Sequence, residues 1–176
     1  MNLYSVNGFS WDKSSWTPTY LKYQAGEIID SRPEPYKIGT ELDFSIEGNA
    51  SYFTWDGWSG PESQARWTDS DTAILSIPIE SVQGDLLMTC KFRAFVPDGV
   101  GKQRVIVNVN GVTVGSLEVT ENELKEYAFT IPEDIFDDLI EIVFELPDAT
   151  SPSEHGISND SRKLGIALRT MRLQDK

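Results

Sequence analysis

QRVIVNVNGVTVGSLEV, residues 103–119, alternates apolar and polar side chains on both sides of an Asn-Gly pair. Val105, Val107 and Val109 fall on one face of an extended chain, because successive side chains of a strand point to opposite sides. Asn110-Gly111 tolerates the positive φ angles of a two-residue turn, so the chain reverses there and Val112 to Val119 run back. Outward from this hairpin, short strand-like stretches recur at 41–46, 72–79, 85–96, 125–131, 139–146 and 163–173, punctuated by Gly, Pro, Asp or Ser. Short strands so spaced predict an all-β fold, an antiparallel two-sheet β-sandwich of jelly-roll-like form. Its expected core is Val105, Val107, Leu86, Phe92, Ile142, Phe144, Leu164 and Ile166, with Leu164, Ile166 and Leu168 alternating onto the core face of the last strand. Helices are expected to be short and minor: one turn at ENELKE (121–126), and one begun by Pro132, whose acidic followers suit a helix N-terminus.

A chain of 176 residues suits one compact core. Residues 1–40 stand apart in charge: they hold four acidic and four basic residues, so the net charge of −13 lies wholly in 41–176, with 11 basic against 24 acidic. The expected organisation is an N-terminal extension, 1–35, packing on a β-sandwich domain, 36–176. Tyr4, Phe9, Trp11, Trp16, Tyr20, Tyr23 and Tyr36 give the extension more aromatic area than disordered tails carry. No repeat and no low-complexity tract interrupts the chain.

Charge and composition exclude several function classes. A surface with 28 acidic and 15 basic residues repels nucleic acid over most of its extent. No apolar run reaches the roughly 18–20 residues of a membrane-spanning helix, and MNLYSVNGFSWDKSS lacks the blocks of a signal peptide, so membrane insertion is not expected. Cys90 is the only cysteine and reads as a small buried strand residue; no intrachain disulfide is possible, and the expected location is cytoplasmic. His155 is the only histidine, and although Ser153 and Asp160 lie near it in sequence, one loop rarely reaches the geometry of a catalytic triad. No glycine loop with phosphate-binding spacing occurs. The expectation is a protein that is not an enzyme and needs no cofactor. Asp69, Asp71 and Asp160 supply oxygen ligands of the kind calcium takes, but their spacing selects no six-ligand set, so no obligatory metal is expected.

Positive signals concentrate in IEGNASYFTWDGWSGPESQARWTDSDTAILSI, residues 46–77, where Trp55, Trp58 and Trp67 fall among Gly, Ser, Asp and Pro. A sugar ring has an apolar C–H face and a rim of hydroxyls, so its site needs a flat aromatic plane with polar groups at the edge. Trp55, Trp58 and Trp67 with Asp56, Glu62, Gln64 and Arg66 supply both. The competing reading makes these rings caps on the sandwich core, with Arg66 and Glu62 paired to each other. A second long polar loop, 147–162, brings Asp160 and Arg162, either as a bidentate pair fixing the loop or as a polar rim for a ligand. A sandwich can bring both loops to the same end. The charge of −13 favours a neutral or weakly charged glycan over a highly anionic one unless arginines gather at the site.

Four ordered motifs carry a resemblance. YKIGTELDFSIEGNASYFTWDGWSGPE, RWTDSDTAILSI, QRVIVNVNGVTVG and SPSEHGISNDSRKLGIALRTMRL, spanning about residues 36–173, resemble a β-sandwich accessory module fused to bacterial glycosyltransferases and other enzymes that build cell-surface polysaccharide. The shared pattern has the form GWSxPE followed by SPxxxGxSxDxRxLGIxL. This chain departs from it after Pro-Glu, where Ser63, Gln64 and Ala65 replace an aromatic and a glycine. The resemblance implies a non-catalytic carbohydrate-binding module, acting beside a glycosyltransferase or transporter that handles the same bacterial glycan. The alternative is a protein-interaction or scaffold domain that tethers a glycosyltransferase to its partner; burial of the tryptophans is what separates the two.

Overall fold

The computed structural model describes residues 34–176 in full and, of those before them, the backbone of Leu21–Gln24 (β1) and Glu27–Asp30 (β2). The chain divides into two units, Met1–Pro33 and Glu34–Lys176. In the first, β1 and β2 pair antiparallel in register Leu21 with Asp30. The expected packing of residues 1–35 on the sandwich, and the aromatics from Tyr4 to Tyr23, lie outside the described side chains.

The second unit is built from β3 (Glu41–Asp43), β4 (Arg66–Trp67), β5 (Thr72–Pro78), β6 (Leu86–Ala94), β7 (Gln103–Val109), β8 (Val112–Val119), β9 (Lys125–Ile131), β10 (Leu139–Glu145) and β11 (Ile166–Asp175). Two antiparallel sheets result, one ordered β5-β10-β7-β8 and one ordered β3-β11-β6-β9, with β4 also pairing β11. From β5 onward only the β7–β8 turn stays within a sheet; each link from β5 to β6, β6 to β7, β8 to β9, β9 to β10 and β10 to β11 crosses between sheets. Asn110 at φ 46° and Gly111 at φ 82° make that turn, the pair of positive angles that matches the twist of the flanking strands.

Alternation does what the sequence pattern predicts. β10 reads intermediate, buried, intermediate through its length, with Ile140, Ile142 and Phe144 fully buried. Val105, Val107, Leu86, Phe92 and Ile166 share that core, and Cys90 is buried among them. Each fully buried side chain of this size contributes about 1.5–3 kcal/mol. Burial in apolar surroundings also pushes the Cys90 thiol far up from its ordinary pKa, because the thiolate would lose its hydration.

Four expectations need correction. The last strand begins at Ile166, so Leu164 precedes it and packs with Trp67 and Ala167 in a separate small cluster. Alternation also breaks within β11: the register against β6 shifts between Leu168 and Thr170. Arg169 is the extra residue of this bulge, which lets Met171 and Leu173 rejoin the core face one position out of phase with Ile166 and Leu168. Residues 121–126 make no helical turn; Lys125 and Glu126 already belong to β9, because pairing with β6 outweighs a six-residue helix too short to stand alone. The first strand stops at Asp43, whose carboxylate accepts the Ser45 N–H at 2.8 Å and turns the chain. After Pro132 the short helix is a single 3₁₀ turn, Glu133–Ile135.

Candidate functional site

Residues 44–68 seal one lateral edge of the sandwich. Phe53 to Asp56 run along β5 as an added edge strand: Ser76 N–H bonds to Phe53 O, Trp55 N–H to Ile74 O and Ile74 N–H to Asp56 O, each at 2.9 Å. Three residues later the same segment has crossed to the other sheet. Trp58 bridges Thr68, and Ser59 N–H bonds to Trp67 O at 2.9 Å, beside β4. The crossing is made at Gly57, which sits at φ 75° with the Thr72 carbonyl so near that a Cβ would lie 1.9 Å from its oxygen. From Ser59 the chain continues as a hairpin whose tip, Glu62 to Ala65, is closed by a 2.9 Å bond from Glu62 N–H to Ala65 O. Ser63 and Gln64, where the chain departs from the motif pattern, occupy that tip.

The three tryptophans therefore meet different surroundings. Trp58 plugs the gap between the sheets, 5.6 Å from the Phe44 ring and 6.3 Å from that of Phe144. Its partly buried indole donates its N–H to Ile74 O at 2.8 Å. Trp67 is only 7% exposed and packs with Leu164 and Ala167. Ala167 lies between two core-facing residues of β11, so this cluster covers the opposite face of the sheet. The Phe95 ring meets Trp67 edge-on at 6.4 Å, and the Arg93 guanidinium lies 5.2 Å from its ring centre. Trp55 is 43% exposed. Two further apolar side chains stand out on the same segment, Tyr52 at 71% and Ile46 at 63% exposure. Trp58 and Trp67 are packing residues, in line with the capping reading; Trp55 is not.

Polar candidates sort in the same way. Arg162 donates through Nε and Nη2 to both oxygens of Asp160, at 3.1 Å and 2.7 Å, and through Nη1 to Glu62 at 3.1 Å. The two loops singled out in the sequence thus meet, and Glu62 pairs with Arg162 instead of Arg66. Hydrogen bonds from Arg162 hold the Asp160 carboxyl below its ordinary pKa, and the same pairing raises that of Arg162. Arg66 has a different environment. Its Nε donates to Ser59 O at 2.6 Å and its Nη1 to the Thr54 hydroxyl at 2.7 Å, while Thr54 donates to Ser51 O at 3.1 Å. Partial burial lowers the Arg66 pKa, with no carboxylate offsetting it. Sequence reasoning missed Tyr52 and Thr54; the signal available was the SYFT run immediately before Trp55.

No catalytic arrangement accompanies these groups among the described residues. The Thr150 hydroxyl gives its proton to Glu154 at 2.6 Å, which leaves the 3.1 Å contact with His155 Nε2 to run from the ring N–H to the hydroxyl oxygen. Ser153 Oγ meets Ser151 Oγ at 3.0 Å, and the hydroxyl that faces the imidazole, that of Thr150, donates its proton to the hydrogen bond with Glu154. Asp69 accepts the Lys163 N–H at 2.9 Å and Asp71 pairs with the Lys163 ammonium at 3.3 Å. No three His, Cys, Asp or Glu side chains gather into an ion site among the described residues.

No family model and no curated protein matches the chain. Solved structures do. Latent PorU from Porphyromonas gingivalis aligns with a TM-score of 0.51 at 9% identity, over 76% of this chain and 12% of that one. A CBM36-1 domain of a multidomain xylanase from the hindgut metagenome of Trinervitermes trinervoides aligns at 0.48 and 11% identity, over 78% of this chain and 97% of that one. A carbohydrate-binding module, CBM36, in complex with calcium and xylotriose aligns at 0.46 and 12% identity, over 77% and 99%. At these identities the likeness is one of fold.

Proposed function

We propose that this chain is a non-catalytic carbohydrate-binding module, and that its site is the outer surface of the sealing segment, with Trp55 and Tyr52 as the rings and Arg66 as the polar anchor. The observation that carries the reading is the contrast within one segment: Trp58 has packing partners and a hydrogen-bonded N–H, whereas Trp55, three residues away, stands 43% exposed. A large aromatic left in water next to fixed donors is what a sugar ring uses, C–H face on the plane and hydroxyls to the donors. Glu62, Asp160 and Arg162 act by holding the two loops together. Affinity is expected to be weak, between about 1 mM and 1 μM, because an open surface buries few apolar atoms and must replace good water contacts.

The motif resemblance extends the proposal to context: a cytoplasmic partner of a glycosyltransferase or transporter, recognising the bacterial polysaccharide that machinery handles. Ile46, exposed at 63% beside Glu62, is the one observation that favours the scaffold alternative, since an exposed aliphatic offers a sugar nothing it cannot find in a protein interface. A glycan array probed with the wild-type chain decides between them. Retention of a defined glycan class supports the module; a blank array with the glycosyltransferase still captured in a pairwise binding assay supports the scaffold.

A further inference from the structure

Resting on the carbohydrate reading, we infer that the glycan carries a single carboxylate per recognised unit, and that Arg66 receives it. A guanidinium has five N–H donors in one plane. Two of them, at Nε and Nη1, are held by Ser59 O at 2.6 Å and the Thr54 hydroxyl at 2.7 Å. Those two bonds point to different parts of the sealing segment, so together they fix the plane and direction of the fork. The remaining three N–H groups, one on Nη1 and two on Nη2, have no protein acceptor among the described residues.

The lack of an acidic partner is what needs explaining. In residues 41–176, acids outnumber bases 24 to 11. Arg104, Arg162 and Arg172 each meet a carboxylate within 3.4 Å, and Lys91, Lys102, Lys125 and Lys163 do so within 3.3 Å. Arg93 lies over the Trp67 ring, and Arg169 and Lys37 are exposed. Among the described residues, Arg66 alone is partly desolvated without an anion or an aromatic face against it. A cation in that state gains more from an incoming carboxylate than from a hydroxyl, because the charge restores what hydration no longer supplies. Thr54, which holds the fork, also donates to Ser51 O, which ties the fork to the turn bearing Tyr52.

A monoanion fits better than a dianion. Asp56 and Glu62 are exposed on the same segment, and a phosphate monoester brings about −1.5 to −2 charges against them where a carboxylate brings one. The carboxylate also matches the planar fork of an arginine.

The test titrates the full chain with disaccharides carrying one glucuronate or one galacturonate, each beside its carboxyl-reduced counterpart, with glucose 6-phosphate as a further arm, and repeats the series on R66Q and R66K. The expected result is at least about tenfold tighter binding of one acidic disaccharide than of its reduced form, abolished in R66Q and much reduced in R66K, with the residual neutral affinity still lost on W55A. R66K keeps the charge and most of the packing, so it reads the fork even if R66Q destabilises the hairpin. Equal affinity for acid and reduced forms overturns this inference and leaves the carbohydrate reading standing. Tighter binding of the phosphate, or an acidic preference that survives in R66Q, overturns it as well. No binding of any arm, in a chain that also fails the glycan array, removes both.

Discussion

Trp55 and Trp58 differ in fate because of the backbone between them. Trp55 lies where the chain still follows β5, and Trp58 where it has crossed past Gly57 into the gap between the sheets. Replacing Trp58 with Ala should cost about 3 kcal/mol, since it empties an aromatic site over Phe44 and Phe144 and removes one of the two hydrogen bonds that Ile74 O accepts. Urea unfolding measures this, and a loss below about 1 kcal/mol would place the ring outside the core. Asp160 makes a pH prediction. Its pKa is depressed in the folded chain by Arg162, so the stability it contributes is present above its unfolded pKa of about 3.9 and is lost as pH falls through the lower folded value. D160N should therefore show a shallower loss of melting temperature than the wild type below about pH 4, and the two should respond to pH alike near neutrality. A wild-type acid limb unchanged by D160N would contradict the pairing.

At the level of elements, period-two alternation made β5, β6, β7 and β10 legible because each buries one face, while β8 was legible from the Asn-Gly turn that precedes it. β5, β6, β7, β8, β9 and β10 lie close to where their patterns put them. The bulge at Arg169 was not legible, since Leu168 to Met171 reads as a break in pattern whose meaning depends on the register of β6. The sealing segment was legible only as a Trp-rich loop. Its backbone bonds run to β5 on one side and to β4 on the other, and no local periodicity encodes partners that distant in the chain. Tyr52 escaped notice for the same reason: it follows Ala50 in a 3₁₀ turn whose first residue alone is buried. Gly57 carries the element-scale prediction. G57A should destabilise by at least about 2 kcal/mol, from the strain of a side chain at positive φ and the collision with Thr72 O. It should also shift Trp55 fluorescence, because the crossing fixes where that ring stands. A neutral effect on stability would mean the crossing is made elsewhere.

The molecule as a whole has a charge of −13, which opposes any anionic ligand at long range while Arg66 attracts it at contact. The two fields screen differently: bulk salt damps repulsion over distances beyond the Debye length of about 8–10 Å near physiological ionic strength, but reaches a hydrogen-bonded, partly buried pair much less. Association of an acidic disaccharide should accordingly speed up as salt rises from about 10 mM to about 150 mM, the reverse of binding to a basic surface. Slowing over that range would show that a cationic field larger than Arg66 governs capture. The central claim, a sugar site on exposed Trp55 held by a sandwich that does not depend on that ring, is tested most directly by measuring the melting temperature and the titration of the array-selected glycan on W55A and wild type together. The account predicts a melting temperature within a few degrees of wild type, as for a surface substitution of about 0.5 kcal/mol, with affinity reduced at least about tenfold. Unchanged affinity, or a large fall in melting temperature with binding intact, would contradict it.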